Sequence, residues 1–243
     1  MKLTTEALTL GFPGRVLFRG LSLSVSPGQC WAVLGNNGSG KTTLMHALAG
    51  VRRPLSGSVY LDDTPLPIVG AAKRGRLIGL LLQEETAEFF GSVLDYVALG
   101  RYPHRRSLLG YDPGAERLAR GQLERVDLAQ FAGQTFSTLS GGERQRARLA
   151  LVLTQDPALF LLDEPLQHLD LRHQIQALDW FARLTRTSGR AVVMALHDPA
   201  LARRYCDHAV LLFDKSQPPL AGPAERVLDL DNLERLYGVP VTL

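Results

Sequence analysis

Three runs of apolar residues end abruptly in polar ones, and that pattern restricts the fold more than any other feature of the chain. They are Cys30-Trp31-Ala32-Val33-Leu34, Ala158-Leu159-Phe160-Leu161-Leu162 and Ala191-Val192-Val193-Met194-Ala195-Leu196. Runs this short, apolar throughout rather than alternating, read as strands buried on both faces of a parallel sheet. Between them lie helical patterns, from Thr42 to Ala49 closed by Gly50, and from Leu171 to Thr187 ahead of Gly189. Strand and helix in alternation predict an α/β core, a mostly parallel sheet flanked by helices. Residues before Asp62 follow a different rule. Leu21-Ser22-Leu23-Ser24-Val25 and Ser58-Val59-Tyr60-Leu61 alternate, and Asp62-Asp63 reads as a turn, so an N-terminal antiparallel β-layer is expected. From Glu84 to Gln155 no comparable strand run occurs and helix formers dominate. We therefore expect one domain over 1–243, with the β-layer and core in 1–83 and 156–243 and a helical insert in 84–155.

Ligands of such a sheet gather at the carboxyl ends of its strands, which are Gly35 onward, Asp163-Glu164 and His197-Asp198. Gly35-Asn36-Asn37-Gly38-Ser39-Gly40-Lys41-Thr42 fits G-x-x-x-x-G-K-[ST] and stands between a strand and a helix, where that pattern cradles phosphates. Its glycines let backbone N–H groups converge on phosphate oxygens, and the helix running on through Thr43 adds its positive end. Lys41 would bridge the β- and γ-phosphates, and the Thr42 hydroxyl would coordinate Mg²⁺. One of only four lysines in the chain occupies this position, against 23 arginines. Kinases, GTPases and transport ATPases share such a loop, so it establishes nucleotide binding and leaves the reaction open.

Leu139-Ser140-Gly141-Gly142-Glu143-Arg144-Gln145 discriminates among them. Ser140 with Glu143 forms a capping box that opens a helix, and Gly141 and Gly142 leave the amides at its start bare, a second anion site. With this segment the sequence resembles the ATPase subunits of ATP-binding cassette (ABC) transporters, and the resemblance runs from Leu8 to about Leu243. It implies a P-loop NTPase core of the RecA-like kind with an inserted helical subdomain. It also implies a head-to-tail homodimer, with each ATP between Lys41 of one copy and Ser140 and Gly142 of the other. Asp163 then fits the Mg²⁺-linked acid, Glu164 the group that polarises the attacking water, and His197 the switch histidine contacting the γ-phosphate. Gln83 fits the glutamine that reaches Mg²⁺ and the water. Pro165-Leu166-Gln167-His168-Leu169-Asp170 resembles the D-loop, with Asp170 near the dimer seam, although Leu166 and Gln167 replace small polar residues common there. An aromatic after the first strand stacks on adenine in the family. Phe12 is the candidate and Phe18 the competitor. The other histidines, His46, His104, His168, His173 and His208, read as structural.

The segments Val93 to Arg105, His168 to Gln174 and Leu233 to Val241 bring the resemblance closest to the ATPases of importers for iron siderophores, haem and cobalamin. It implies separate permease chains, a substrate-binding protein acting indirectly, and a peripheral position at the cytoplasmic face of the inner membrane. Residues Glu84 to Asp95 would receive the permease. The basic cluster Arg101, His104, Arg105, Arg106 fits that contact or a solvated face equally. Asp214 to Pro219 replaces the family's tight Asp-Gly turn with a longer, proline-bearing loop.

Composition removes other classes. Lys+Arg 27 against Asp+Glu 24 gives a net charge of +3 with no long basic stripe, which argues against nucleic acid. The longest uncharged stretch, Gly20 to Gly40, is broken by polar residues and too mixed to span a membrane. The first residues show no export signal, so a cytosolic location is expected. Cys30 and Cys206, far apart in sequence and in apolar settings, read as buried free thiols. The alternatives are a soluble ABC ATPase without a membrane partner and an exporter subunit. Soluble relatives commonly carry two cassettes or a long coiled-coil insert, and neither fits in 243 residues. A non-catalytic scaffold would need a damaged Glu164 or His197, and both are intact.

Overall fold

The computed structural model describes residues 1–83, 89–105, 113–213 and 217–240. Alternation builds the first layer. β1 (Leu3–Phe12) and β2 (Arg15–Val25) pair antiparallel from Leu3 opposite Val25 to Phe12 opposite Arg15. Along β2, Leu21, Leu23 and Val25 are buried while Ser22 and Ser24 face water. After β3 (Cys30–Gly35) and α1 (Lys41–Leu48), β4 (Ser56–Leu61) and β5 (Thr64–Pro65) complete a four-stranded sheet in the order β2-β1-β4-β5. Asp62 and Asp63, the turn between β4 and β5, have φ of 45° and 61°. Two consecutive left-handed residues are what a two-residue hairpin loop needs, and aspartate tolerates them.

The second sheet carries the chemistry. α2 (Ala71–Leu77) leads into β6 (Ile78–Leu81), and the chain passes through α3 (Val93–Ala98), α4 (Pro113–Arg125) and α5 (Gly141–Gln155) before β7 (Leu159–Leu162). α6 (Leu171–Ser188), β8 (Ala191–Ala195), α7 (Pro199–Tyr205), β9 (His208–Leu212), β10 (Leu220–Pro223), α8 (Ala224–Val227) and α9 (Leu230–Tyr237) complete the described chain. The strand order is β10-β9-β3-β8-β7-β6, parallel except for the antiparallel edge strand β10. The three apolar runs became β3, β7 and β8. Ile78–Leu81 and His208–Leu212, shorter or opened by a histidine, add two more parallel strands.

β3 shows why its run has no polar member. Trp31 and Val33 pack toward the β-layer and α1, while Cys30, Ala32 and Leu34 pack toward α5 and α6. A third cluster, with Val97, Leu123, Phe136 and Ala147, lies wholly among the helices between β6 and β7. α5 belongs to two clusters, giving Leu149 and Val152 to the sheet side and Ala147 and Ala150 to the helical side. It welds insert to core. The expected span of that insert includes residues 84–88 and 106–112, which lie outside the described residues, as do 214–216 of the proline-bearing loop. Directly after that loop, β10 pairs with β9 from Leu220 opposite Leu211 to Pro223 opposite His208. A proline there is tolerated because β10 is an edge strand.

The adjacency of β9 and β3 also brings the two cysteines together. Both are free and buried, as expected, yet their sulfurs stand 3.5 Å apart despite their separation in sequence. Among the described residues no helix is long and apolar enough to cross a membrane.

Candidate functional site

β3 delivers the chain to Gly35, and the loop from Asn36 to Gly40 turns it into α1. Gly40 closes that turn at φ 108°, a conformation that side chains rarely adopt, and as N-cap it supplies no side-chain acceptor. The first-turn amides of α1 are thus left for an outside acceptor. Lys41 is 5 % exposed, and its Nζ donates to Gly35 O at 2.8 Å and to Asn36 O at 3.5 Å. Burial holds its pKa below the ordinary lysine value, opposed by the charges of Glu164 and Asp163. Asn36 Nδ2 donates to Leu236 O at 3.1 Å, tying the loop to α9.

β7 ends at Leu162 and exposes two carboxylates of opposite character. Asp163 is 1 % exposed, and neither of its oxygens, nor Ser39 Oγ, has a hydrogen-bond partner among the described residues. Burial pushes the Asp163 pKa up, and the nearby Thr42 hydroxyl pulls it down. Glu164 faces a cleft. Gln83 Nε2 donates to its Oε2 at 3.0 Å, and His197 Nε2 lies 2.8 Å from its Oε1, a pairing that places a proton on Nε2. A carboxylate clamped between a carboxamide and an imidazole is oriented as a base that receives a proton must be.

The cleft holds about 530 Å³, and its walls gather Phe12, Asn37, Gly38, Gly40, Lys41, Thr42, Thr43, Gln83, Glu164 and His197. Phe12 is 44 % exposed, whereas Phe18 is 3 % exposed in the core, so Phe12 presents the available ring. Ser140, Gly141 and Gly142 are not among these walls, nor is Asp170. Ser140 completes the capping box, its N donating to Glu143 Oε2 at 2.8 Å and its Oγ to the same oxygen at 2.6 Å. Those bonds hold the Glu143 pKa below the usual glutamate value. Asp170 is the N-cap of α6, accepting from His173 N at 2.9 Å with His173 Nδ1 also at 2.9 Å.

A family profile described as ABC transporter matches residues 18–167. The chain belongs to the ABC transporter family. The hemin import ATP-binding protein HmuV of Bordetella parapertussis is 38% identical over 98% of this cassette and 93% of its own length. The petrobactin import ATP-binding protein FpuD of Bacillus anthracis is 36% identical over 93% of this chain and 83% of its own. Among solved structures, a metal-chelate type ABC transporter in an inward-facing conformation superposes with a TM-score of 0.84 at 29% identity, covering 98% of this chain and 89% of that one. The cassette thus binds ATP.

Two residues of this ABC cleft escaped the motif reading, Arg15 and Leu17, and Gln167 of the D-loop segment joins them on its walls. Arg15 stands opposite Phe12 across the β1–β2 pair, and its Nη2 lies 3.9 Å from where a Cβ on Gly38 would be. The signal available was its place three residues after Phe12 in a hairpin. Arg52 also escaped. Its guanidinium lies 4.1 Å from the Phe12 ring centroid and donates to Gly11 O at 2.6 Å, backing one face of that ring. The basic cluster has a third role that neither expectation included. Arg101 Nη1 and His104 Nε2 reach Gln155 O, the last carbonyl of α5, at 3.5 and 2.9 Å. Arg106 lies outside the described residues.

Asp163 sets up a measurable conflict. Because its pKa is raised in the fold, ionising it costs stability. That cost is absent below the unfolded-state value and fully present once pH has risen through the folded one. In the nucleotide-free cassette, Asp163→Asn should raise Tm at pH 7 by about 2–4 °C, and the gain should shrink as pH falls toward 4, where the wild-type group is already protonated. Scanning calorimetry across pH checks this, and an unchanged Tm at pH 7 contradicts it.

Proposed function

We propose that this chain is the ATP-hydrolysing, energy-coupling subunit of an importer, and that it works as a head-to-tail pair bound to permease subunits. The observation that carries the hydrolytic half is the Glu164 carboxylate held at 2.8 Å by His197 and 3.0 Å by Gln83 in the cleft of the phosphate loop. Glu164 accepts the proton of a water, His197 and Gln83 fix its direction, and the water's oxygen displaces ADP from the γ-phosphorus to yield phosphate. Lys41, Asn37, Gly38, Ser39, Thr42 and Thr43 hold the phosphate chain, and Arg15 adds a second cation where the carboxylates of Asp163 and Glu164 would repel a polyanion. Phe12 offers its free face to adenine.

Two buried carboxylate oxygens without hydrogen-bond partners among the described residues, beside a threonine hydroxyl, suit a hard divalent cation, so Asp163 and Thr42 would hold Mg²⁺, with Gln83 close by. When bound, Mg²⁺ neutralises charge on the β- and γ-phosphate oxygens.

The importer half rests on relatives whose names state hemin and petrobactin import. With the resemblance of the sequence segments, these relatives support a cargo class of iron siderophore, haem or cobalamin. A substrate-binding protein delivers it, and the cassette sits peripherally at the cytoplasmic face of the inner membrane. Phe90, 82 % exposed next to the Gln83 segment, belongs to the stretch that would meet the permease, of which 84–88 lie outside the described residues. The test is uptake of labelled ferric siderophore, haem and cobalamin by cells lacking this chain. Restoring the wild type should return uptake of one of them, while Lys41→Ala should lower ATP hydrolysis by about 100-fold and leave uptake absent. Undiminished uptake of all three without the chain contradicts the proposal.

A further inference from the structure

The helix that carries Ser140 reaches the cleft of its own chain through its buried face. Gln145 and Arg148 lie one turn apart on α5, 3 % and 7 % exposed. Arg148 Nη1 donates to Gln83 O at 3.2 Å and to Gln145 Oε1 at 2.9 Å, and its Nη2 donates to Leu82 O. Gln145 sends Nε2 the other way, to Pro165 O at 2.9 Å. The two side chains form a continuous buried relay between the backbone at Gln83 and the backbone beside Glu164. The side chains of those two residues meet in the cleft at 3.0 Å.

The backbone on the far side needs such a restraint. Glu164 has φ 51° and His168 φ 62°, left-handed values that residues with a Cβ hold only where the surroundings impose them. The Gln145 bond to Pro165 O grips this loop one residue after Glu164. The start of α5 presses on it as well, since a Cβ at Gly142 would lie 2.9 Å from His168 O. α5 also packs into both the helical cluster and the sheet cluster, so the relay stands on a helix shared by insert and core.

We propose that Arg148 and Gln145 are positioning residues for hydrolysis. They set the spacing of the Gln83 and Glu164 segments, and so hold Gln83 against the water-polarising carboxylate. This rests on the reading of Glu164 given above. Arg148→Met keeps a long stem and removes the donors. In the full-length chain kcat should fall by about 10- to 100-fold, while the Kd for a fluorescent ATP analogue stays within about 2-fold. Adding Gln83→Ala to Arg148→Met should slow turnover no further than the slower single variant, because both changes act through one geometry. Arg148→Lys, with one ammonium in place of a fork, should keep the fold and show an intermediate kcat. Wild-type kcat in Arg148→Met, or multiplied effects in the double variant, overturns the proposal. If Arg148→Met does not fold, Arg148→Lys decides: lowered kcat at unchanged Kd supports the relay, and wild-type kcat overturns it. Full turnover in Glu164→Gln is a separate result that would remove the reading beneath it.

Discussion

Glu164→Gln should lower steady-state ATP hydrolysis by about 10²- to 10⁴-fold, the range expected for loss of a positioned general base, and leave ATP binding intact. The replacement keeps the size of the side chain and one oxygen but removes the proton acceptor that His197 and Gln83 orient. The phosphate loop keeps its own bonds, because Lys41 donates to Gly35 O and Asn36 O rather than to Glu164. If hydrolysis releases the proposed head-to-tail pair, the variant should accumulate as an ATP-dependent dimer, seen by light scattering as a doubled mass with ATP and a single mass without it. Turnover equal to the wild type would remove Glu164 from the mechanism.

Ser140→Arg should abolish hydrolysis to a comparable degree while a single chain still binds ATP with wild-type affinity. Ser140 opens α5 outside the walls of the cleft that contains Lys41, so its own nucleotide does not depend on it. An arginine at the N-terminus of a helix adds a cation where the macrodipole is already positive and breaks the capping box, which costs about 1 kcal/mol of local stability. Circular dichroism should therefore show a folded chain. Equilibrium titration with a fluorescent nucleotide gives the affinity, and loss of binding by the isolated chain would assign Ser140 to its own cleft.

What the sequence made legible was local. The phosphate loop, the capping box at Ser140, the paired carboxylates after an apolar run and the alternation of β2 are all patterns within about ten residues, and each appears where its spacing predicts it. Features that depend on which strands become neighbours were hidden. The cysteine sulfurs approach because β9 lies against β3, an order that nothing near either cysteine encodes. Arg15 reaches the cleft through a β1–β2 register that shifts more than once, around Ala7 at φ 46°. The sequence leaves the cluster of Arg101 and His104 between a permease contact and a solvated face, because their partner, the Gln155 carbonyl, lies more than fifty residues away. Asp170 was read at a dimer seam, and within one chain it is the cap of α6. Arg148 drew no notice for a related reason: one turn along a helix links it to Gln145, but its other contacts come from the segment around Gln83.

The composite site is tested most directly by mixing two inactive chains. A Ser140→Arg chain keeps Lys41, and a Lys41→Ala chain keeps Ser140, so a mixed pair holds one site with both halves intact. Hydrolysis should reappear on mixing, up to about a quarter of the wild-type rate per chain, because half the pairs are mixed and each has one working site of two. A mixture no more active than the sum of its two components would contradict the head-to-tail arrangement.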